Sequence, residues 1–151
     1  MDLNRPLNVT NEPAILEFRE AIFSILNHLK VLDNNNKLIK PYLHLALHGM
    51  SYAHKEIELG TRYNQTCINE IFIWFRNKLE VYCRGVFDRD LNIVYNEQFI
   101  GDSSKGVHRD KYGILFNTIQ IEFNRTLRTR YFSKTVKVLA KIIKDFYQEQ
   151  K

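Results

Sequence analysis

Two histidines and one carboxylate sit where a β-sheet could put them to chemical use. His44 and His48 lie in Lys40-Pro-Tyr-Leu-His-Leu-Ala-Leu-His-Gly-Met50, and Glu122 closes the apolar run Ile119-Gln-Ile-Glu-Phe123. Four residues apart on a helix, two histidines can hold one metal; on a strand they share a face but stand about 13 Å apart, at roughly 3.3 Å per residue. Pro41, and the alternation of Leu43, Leu45 and Leu47 with Tyr42, His44, Ala46 and His48, give the period of a strand. The pair therefore cannot ligate one metal together. His48 is the stronger candidate, because Gly49 follows it and lets the backbone turn or approach a ligand closely. A histidine at the carboxyl end of a buried strand faces the crevice where α/β sheets bind their ligands. The competing reading is a histidine that only packs. Glu122 is costly to bury unless paired or metal-bound, and a carboxylate beside a metal-bound water can take its proton. On a half-exposed strand it would simply point to solvent.

The elements that must position these residues follow from periodicity. Thr10-Asn11-Glu12-Pro13 reads as a helix start, and Ile15, Phe18, Ile22, Ile25, Leu26 and Leu29 carry an apolar stripe to about Lys30. Asp33-Asn34-Asn35-Asn36 is a turn before the histidine strand. Ser51 to Asn64, polar and without a convincing period, reads as a loop on the ligand side. A helix is predicted from about Gln65 to Tyr82, with Ile68, Ile71, Phe72, Phe75, Leu79 and Tyr82 on one side. Asn92 to Asn96 is a short strand, Glu97 to Tyr112 a long loop, Ile114 to Phe123 a strand and Phe132 to about Gln148 the closing helix. The order helix, strand, helix, strand, strand, helix points to a layered α/β domain spanning residues 1–151.

Composition sets the outer bounds. At 151 residues, 44% hydrophobic and 26% charged, the chain suits one domain with a core of its own. No apolar run approaches a membrane span and Met1-Asp2-Leu3-Asn4 is no signal peptide, so a cytoplasmic protein without a membrane partner is expected. Cys67 and Cys83 lack metal-ligand spacing, and a reduced thiol is expected rather than a disulfide. The net charge of +5 concentrates in residues 125–151, with eight Lys or Arg against two Asp or Glu. Lys134, Lys137, Lys141 and Lys144 nonetheless recur at helical spacing opposite Val136, Leu139, Ala140, Ile143 and Phe146, as on a solvated helix face. No RNA motif or helix-turn-helix pattern accompanies them, so a nucleic-acid partner is not expected.

Several separated stretches, in order, carry a family likeness. They are Asp2-Leu-Asn-Arg-Pro6, Ala46-Leu-His-Gly-Met50, Glu58-Leu-Gly-Thr-Arg62, Asn96-Glu-Gln-Phe-Ile-Gly101 and Gln120-Ile-Glu122. Together they resemble the N-formylglutamate amidohydrolase family, zinc hydrolases related to the zinc carboxypeptidases. The resemblance implies zinc as cofactor, His48 as its last protein ligand and Glu122 as the catalytic carboxylate. It implies Asn4 and Arg5 at the substrate's carboxylate, with Thr61, Arg62 and His108 lining the pocket. Ala46 stands where the family has an aspartate, and Asp102 where it has a second glycine. The family's first two zinc ligands precede its N-R-P segment, so the chain is expected to be an incomplete catalytic domain, a carboxyl-terminal part. His54, Glu56 and Glu58 could add ligands to a rearranged site. The fold implied is a three-layer α/β/α domain with a mixed sheet, phosphorylase/hydrolase-like, lacking its N-terminal portion. A small carboxylate-bearing substrate is expected, with a homo-oligomer or a missing N-terminal segment completing the molecule. The other reading is a non-catalytic domain of the same fold that binds a ligand or partner protein.

Overall fold

A computed structural model describes residues 12–52, 54–101 and 111–149 of the chain. Among them, helix α1 (Glu12–His28) precedes strand β1 (Tyr42–Gly49) and strand β2 (Ile57–Gly60). Helix α2 (Asn69–Phe87) leads to β3 (Ile93–Tyr95) and β4 (Phe116–Phe123). A single-turn helix α3 (Arg125–Arg128) and the long helix α4 (Phe132–Glu149) complete the order. The class is α/β, as expected. No helix among the described residues is long and apolar enough to cross a membrane.

The four strands form one mixed sheet in the order β1-β4-β2-β3. β1 runs parallel to β4, β2 antiparallel to β4, and β3 parallel to β2. β4 lies between β1 and β2 and is buried along its whole length. Its residues alternate between two hydrophobic clusters. Ile119, Ile121 and Phe123 join Ile71, Phe72, Phe75 and Leu79 of α2 and Val138, Leu139 and Ile142 of α4. Phe116, of the opposite parity, joins Ile22 and Leu26 of α1 with Leu38 and Tyr112. Burying one such side chain contributes roughly 1.5–3 kcal/mol, so these clusters hold the helices against the strands. Both cysteines are free and buried in or beside this apolar interior.

Three expectations need correction. Ser51 to Asn64 is not all loop, because Ile57–Gly60 is a fully buried strand inside the sheet. Its alternation is hidden by Glu58, a charged residue on a buried position, and a four-residue strand leaves little period to read. On α4 the buried stripe is Thr135, Val138, Leu139 and Ile142, whereas Val136, Ala140 and Ile143 are exposed. The apolar arc of that helix is wider than one packed face, so spacing alone picked the wrong part of it. Third, α3 does not appear in the periodicity. It exists because the Asn124 carboxamide accepts from the Leu127 N–H at 2.9 Å, capping a turn too short to carry a pattern.

Candidate functional site

The register of three strands puts His48, Glu122 and Glu58 in one row. His48 of β1 is aligned with Glu122 of β4, and Glu122 with Glu58 of β2. Residues directly across a ladder project from the same face, so the imidazole and both carboxylates share one side of the sheet. The next row holds Ala46, Gln120 and Gly60, and the one beyond pairs His44 with Thr118.

The two carboxylates differ in how their charge is met. Glu58, with 0% of its surface exposed, accepts at Oε1 from the N–H groups of Glu97 (3.0 Å), Gln98 (2.5 Å) and Phe99 (2.7 Å). Lys55 Nζ lies 3.3 Å from its Oε2 and 2.8 Å from Glu97 Oε2. Burial pushes the Glu58 carboxyl up, but the Phe99 and Gln98 N–H groups and the Lys55 ammonium outweigh it and hold it below its ordinary value. Glu122, 4% exposed, receives the Gln120 Nε2–H at 2.8 Å on Oε1. The same oxygen lies 4.0 Å from His48 Nδ1, an electrostatic contact too long for a hydrogen bond. Glu58 is thus saturated by the fold. Glu122 is steadied by one amide and looks toward an imidazole.

Glycines shape the walls. A Cβ on Gly60 would overlap the backbone of Phe99, Ile100 and Gly101, so the segment that Glu58 anchors crosses directly over this position, beside Gln120. A Cβ on Gly49 would stand 2.5 Å from the Arg128 guanidinium carbon. Arg128 donates from Nε to the Phe123 carbonyl (3.0 Å) and from Nη2 to the Met50 carbonyl (3.4 Å), spanning the carboxyl ends of β4 and β1. The neighbour that comes close to the glycine after His48 is the Arg128 guanidinium.

Thr61 is buried beside Gly60. Its N–H donates to Asn96 Oδ1 at 2.8 Å, and its hydroxyl bonds Asn64 (3.3 Å) and Asn96 (3.3 Å). Arg62, Tyr63 and Asn64 follow with φ of 49°, 53° and 67°, an unusual left-handed run for three non-glycine residues. The Arg62 N–H donates to the Ile100 carbonyl, tying this turn to the same crossing segment. Thr61 and Arg62 therefore stand at the Gln120 side of the face, beyond the end of β2 rather than beside His48. His44 packs between the rings of Phe18 and Phe116 and contacts the Thr118 hydroxyl at 3.4 Å. Burial holds its imidazole below the ordinary histidine value. Phe18 thus marks the middle of β1, while Ile22 and Leu26 meet Leu38 near its beginning. Helix α1 therefore runs against β1 and begins toward the His48 end. Asn4, Arg5 and His108 lie outside the described residues.

Comparison with family models, with curated proteins and with solved structures returned no match. Function must be argued from the face itself. Among the described residues no three His, Cys, Asp or Glu side chains gather as a metal group would. Glu56 is taken by Arg89 through both carboxylate oxygens, at 2.5 and 2.8 Å, and by the Asn92 N–H at 3.0 Å. With Glu58 held as described, neither extra acid is turned toward His48 as a ligand. Zinc in catalytic sites generally takes three protein ligands. The described donors facing each other are two, His48 and Glu122, so they do not complete a zinc site by themselves.

The bond from Gln120 to Glu122 was not anticipated from the sequence. The signal was there, since a residue two before Glu122 on a strand shares its face. The roles of Glu58 and Arg128 had no such signal, because both depend on contacts across more than 35 residues of chain.

Proposed function

We propose that this chain is an amide hydrolase of the N-formylglutamate amidohydrolase kind, acting on a small substrate that bears a carboxylate. The observation that supports the reading is the alignment of His48 with Glu122 on neighbouring parallel strands, on one face, at their carboxyl ends. In this reading α1 covers one face of the sheet and α2 with α4 the other, the three-layer α/β/α arrangement of a hydrolase-like domain. The substrate enters where β1 and β4 end. Glu122 takes the proton of the attacking water and passes it to the leaving nitrogen, while Gln120 fixes the carboxylate through Oε1, the oxygen nearer His48. His48 stands beside it as the imidazole of the proposed site. Zinc, when bound, supplies an acidified water and a Lewis acid, and His48 is the residue that would hold it. The proposal includes a third donor from outside the described residues. Asn4 and Arg5 hold the substrate's carboxylate.

The experiment is metal analysis of the purified protein after zinc loading and dialysis, for wild type and His48→Ala. The reading expects bound zinc in the first and its loss in the second. Equal zinc in both, or none in either, would contradict it.

One observation favours a second reading, a ligand-binding domain without catalysis: the described donors stop at two. In that case ligand affinity survives Glu122→Gln and no turnover accompanies it.

A further inference from the structure

Helix α4 carries more apolar surface than the core uses. At about 100° per residue its side chains fall into distinct arcs. Thr135, Val138, Leu139 and Ile142 form the buried arc. Beside that arc, Phe132, Val136, Ile143 and Tyr147 lie within about 60° of one another. Each exposes 45% or more of its surface. Single exposed apolar residues are ordinary, but four in one row along a helix mark an interaction surface.

The charge around this row has one sign. From Arg125 to Lys144 the chain holds seven Lys or Arg and no Asp or Glu. Lys144 and Lys137 border the row, about 60° and 80° past Tyr147 around the helix, and both are exposed. The two acids of the helix lie on the opposite side. Asp145 and Glu149 meet Lys78 of α2 there, at 3.2 and 2.7 Å. Lys141 and Lys134 turn toward the same helix, 4.1 Å from the Tyr82 ring centre and 5.5 Å from that of Phe87. The apolar row thus faces away from α2, with lysines along its open border.

We propose that α4 docks on an anionic lipid surface, its apolar row entering the boundary between headgroups and acyl chains while Lys137 and Lys144 meet lipid phosphates. The inference does not depend on the hydrolase reading. Charge speaks against a second copy as the occupant, since an identical row brings the same cations and no free acid against this one. Area separates a bilayer from a folded protein partner. The row is about 22 Å long and about 10 Å wide, roughly a quarter of the ~800 Å² that each side of a specific protein interface buries. A bilayer sets no such minimum, because side chains enter it one at a time and each lysine adds its own attraction. Nucleic acid would pair the lysines but leave the apolar row in water. The expectation of no membrane partner rested on the lack of a spanning run, and a helix lying flat in the interface needs none.

Co-sedimentation of the full chain with vesicles of equal parts phosphatidylserine and phosphatidylcholine tests the proposal. Binding is expected to be about tenfold or more tighter than to phosphatidylcholine alone, and to weaken as salt rises. Val136→Ser with Ile143→Ser should weaken it about tenfold or more, and Lys137→Gln with Lys144→Gln about fivefold or more. All four positions are exposed, so both variants should keep the wild-type thermal midpoint, which separates lost docking from lost folding. Equal binding to both vesicles, binding to neither, or binding that survives the serine pair would each overturn the proposal. So would a dimer that the serine pair dissolves, which would give the row to a second copy. Tighter binding to duplex DNA than to the vesicles, indifferent to the serine pair, would overturn it by giving the lysines to nucleic-acid phosphates. None of these outcomes touches zinc binding or turnover, on which the hydrolase reading stands or falls.

Discussion

Glu58 and Glu122 stand directly opposite each other across the antiparallel β2–β4 pair, yet only one of them is committed to the fold. Like charges in that relation repel, and the pair persists because Lys55 and three backbone N–H groups surround Glu58. Among the described residues the division leaves Glu122 with the Gln120 amide as donor and an imidazole at the strand end.

Glu58→Ala would orphan the N–H groups of Glu97, Gln98 and Phe99 in a water-poor site. The loss of stability should be roughly 3 kcal/mol, read by denaturant unfolding. A loss under about 0.5 kcal/mol would show that the 97–99 segment does not depend on this carboxylate.

The same carboxylate sets an acid dependence. Its folded value lies below its ordinary one, so the stability it adds is present above the ordinary glutamate range and is lost as pH falls through the folded value. Wild type should therefore exceed Glu58→Gln in stability near neutrality, and the gap should close on acidification below about pH 4. A gap independent of pH would contradict the assignment.

Gly60 and Gly49 should respond differently to alanine. At Gly60 the new methyl meets the backbone of Phe99 to Gly101, which cannot step aside, and overpacking of this kind costs about 1–3 kcal/mol. At Gly49 it meets the Arg128 side chain rather than backbone, which can shift at the cost of its bonds to Phe123 and Met50, so the thermal midpoint should fall less. The order of the two midpoints is the check, and equal midpoints would refute it.

Cys83 should resist modification. Burial first, then Glu56, push its thiol up to about 12, and Cys67 is fully buried. A disulfide-exchange reagent at pH 8 should label neither thiol in the native protein within minutes and both in denaturant. Rapid labelling of the native chain would show that the core opens easily.

Much of this fold was legible in the sequence because long elements repeat their pattern. The 19-residue α2 and the 18-residue α4 carry several turns of apolar spacing, and β1 alternates cleanly. β2 was not legible, since four residues with a buried glutamate read as polar loop. The phase of α4 was misread because its apolar arc includes an exposed stripe, with Val136 and Ile143 on it. At the site, residue type and strand ends pointed to His48 and Glu122 separately. Their adjacency needed the β1–β4 register, which joins residues 74 positions apart and leaves no local trace. The same holds for Glu58, whose role as an anchor is written in the backbone of residues 97–99 rather than in its own neighbourhood.

The most direct test of the account is hydrolysis of N-formyl-L-glutamate by wild type and Glu122→Gln, each loaded with zinc. The substitution keeps the shape of the side chain and removes its capacity to take a proton. Wild-type turnover that falls at least 100-fold in the variant, with an unchanged unfolding midpoint, is the predicted result. Turnover at equal rates in both proteins, or in neither under conditions where zinc is bound, would contradict the claim that the His48–Glu122 face is a hydrolytic site.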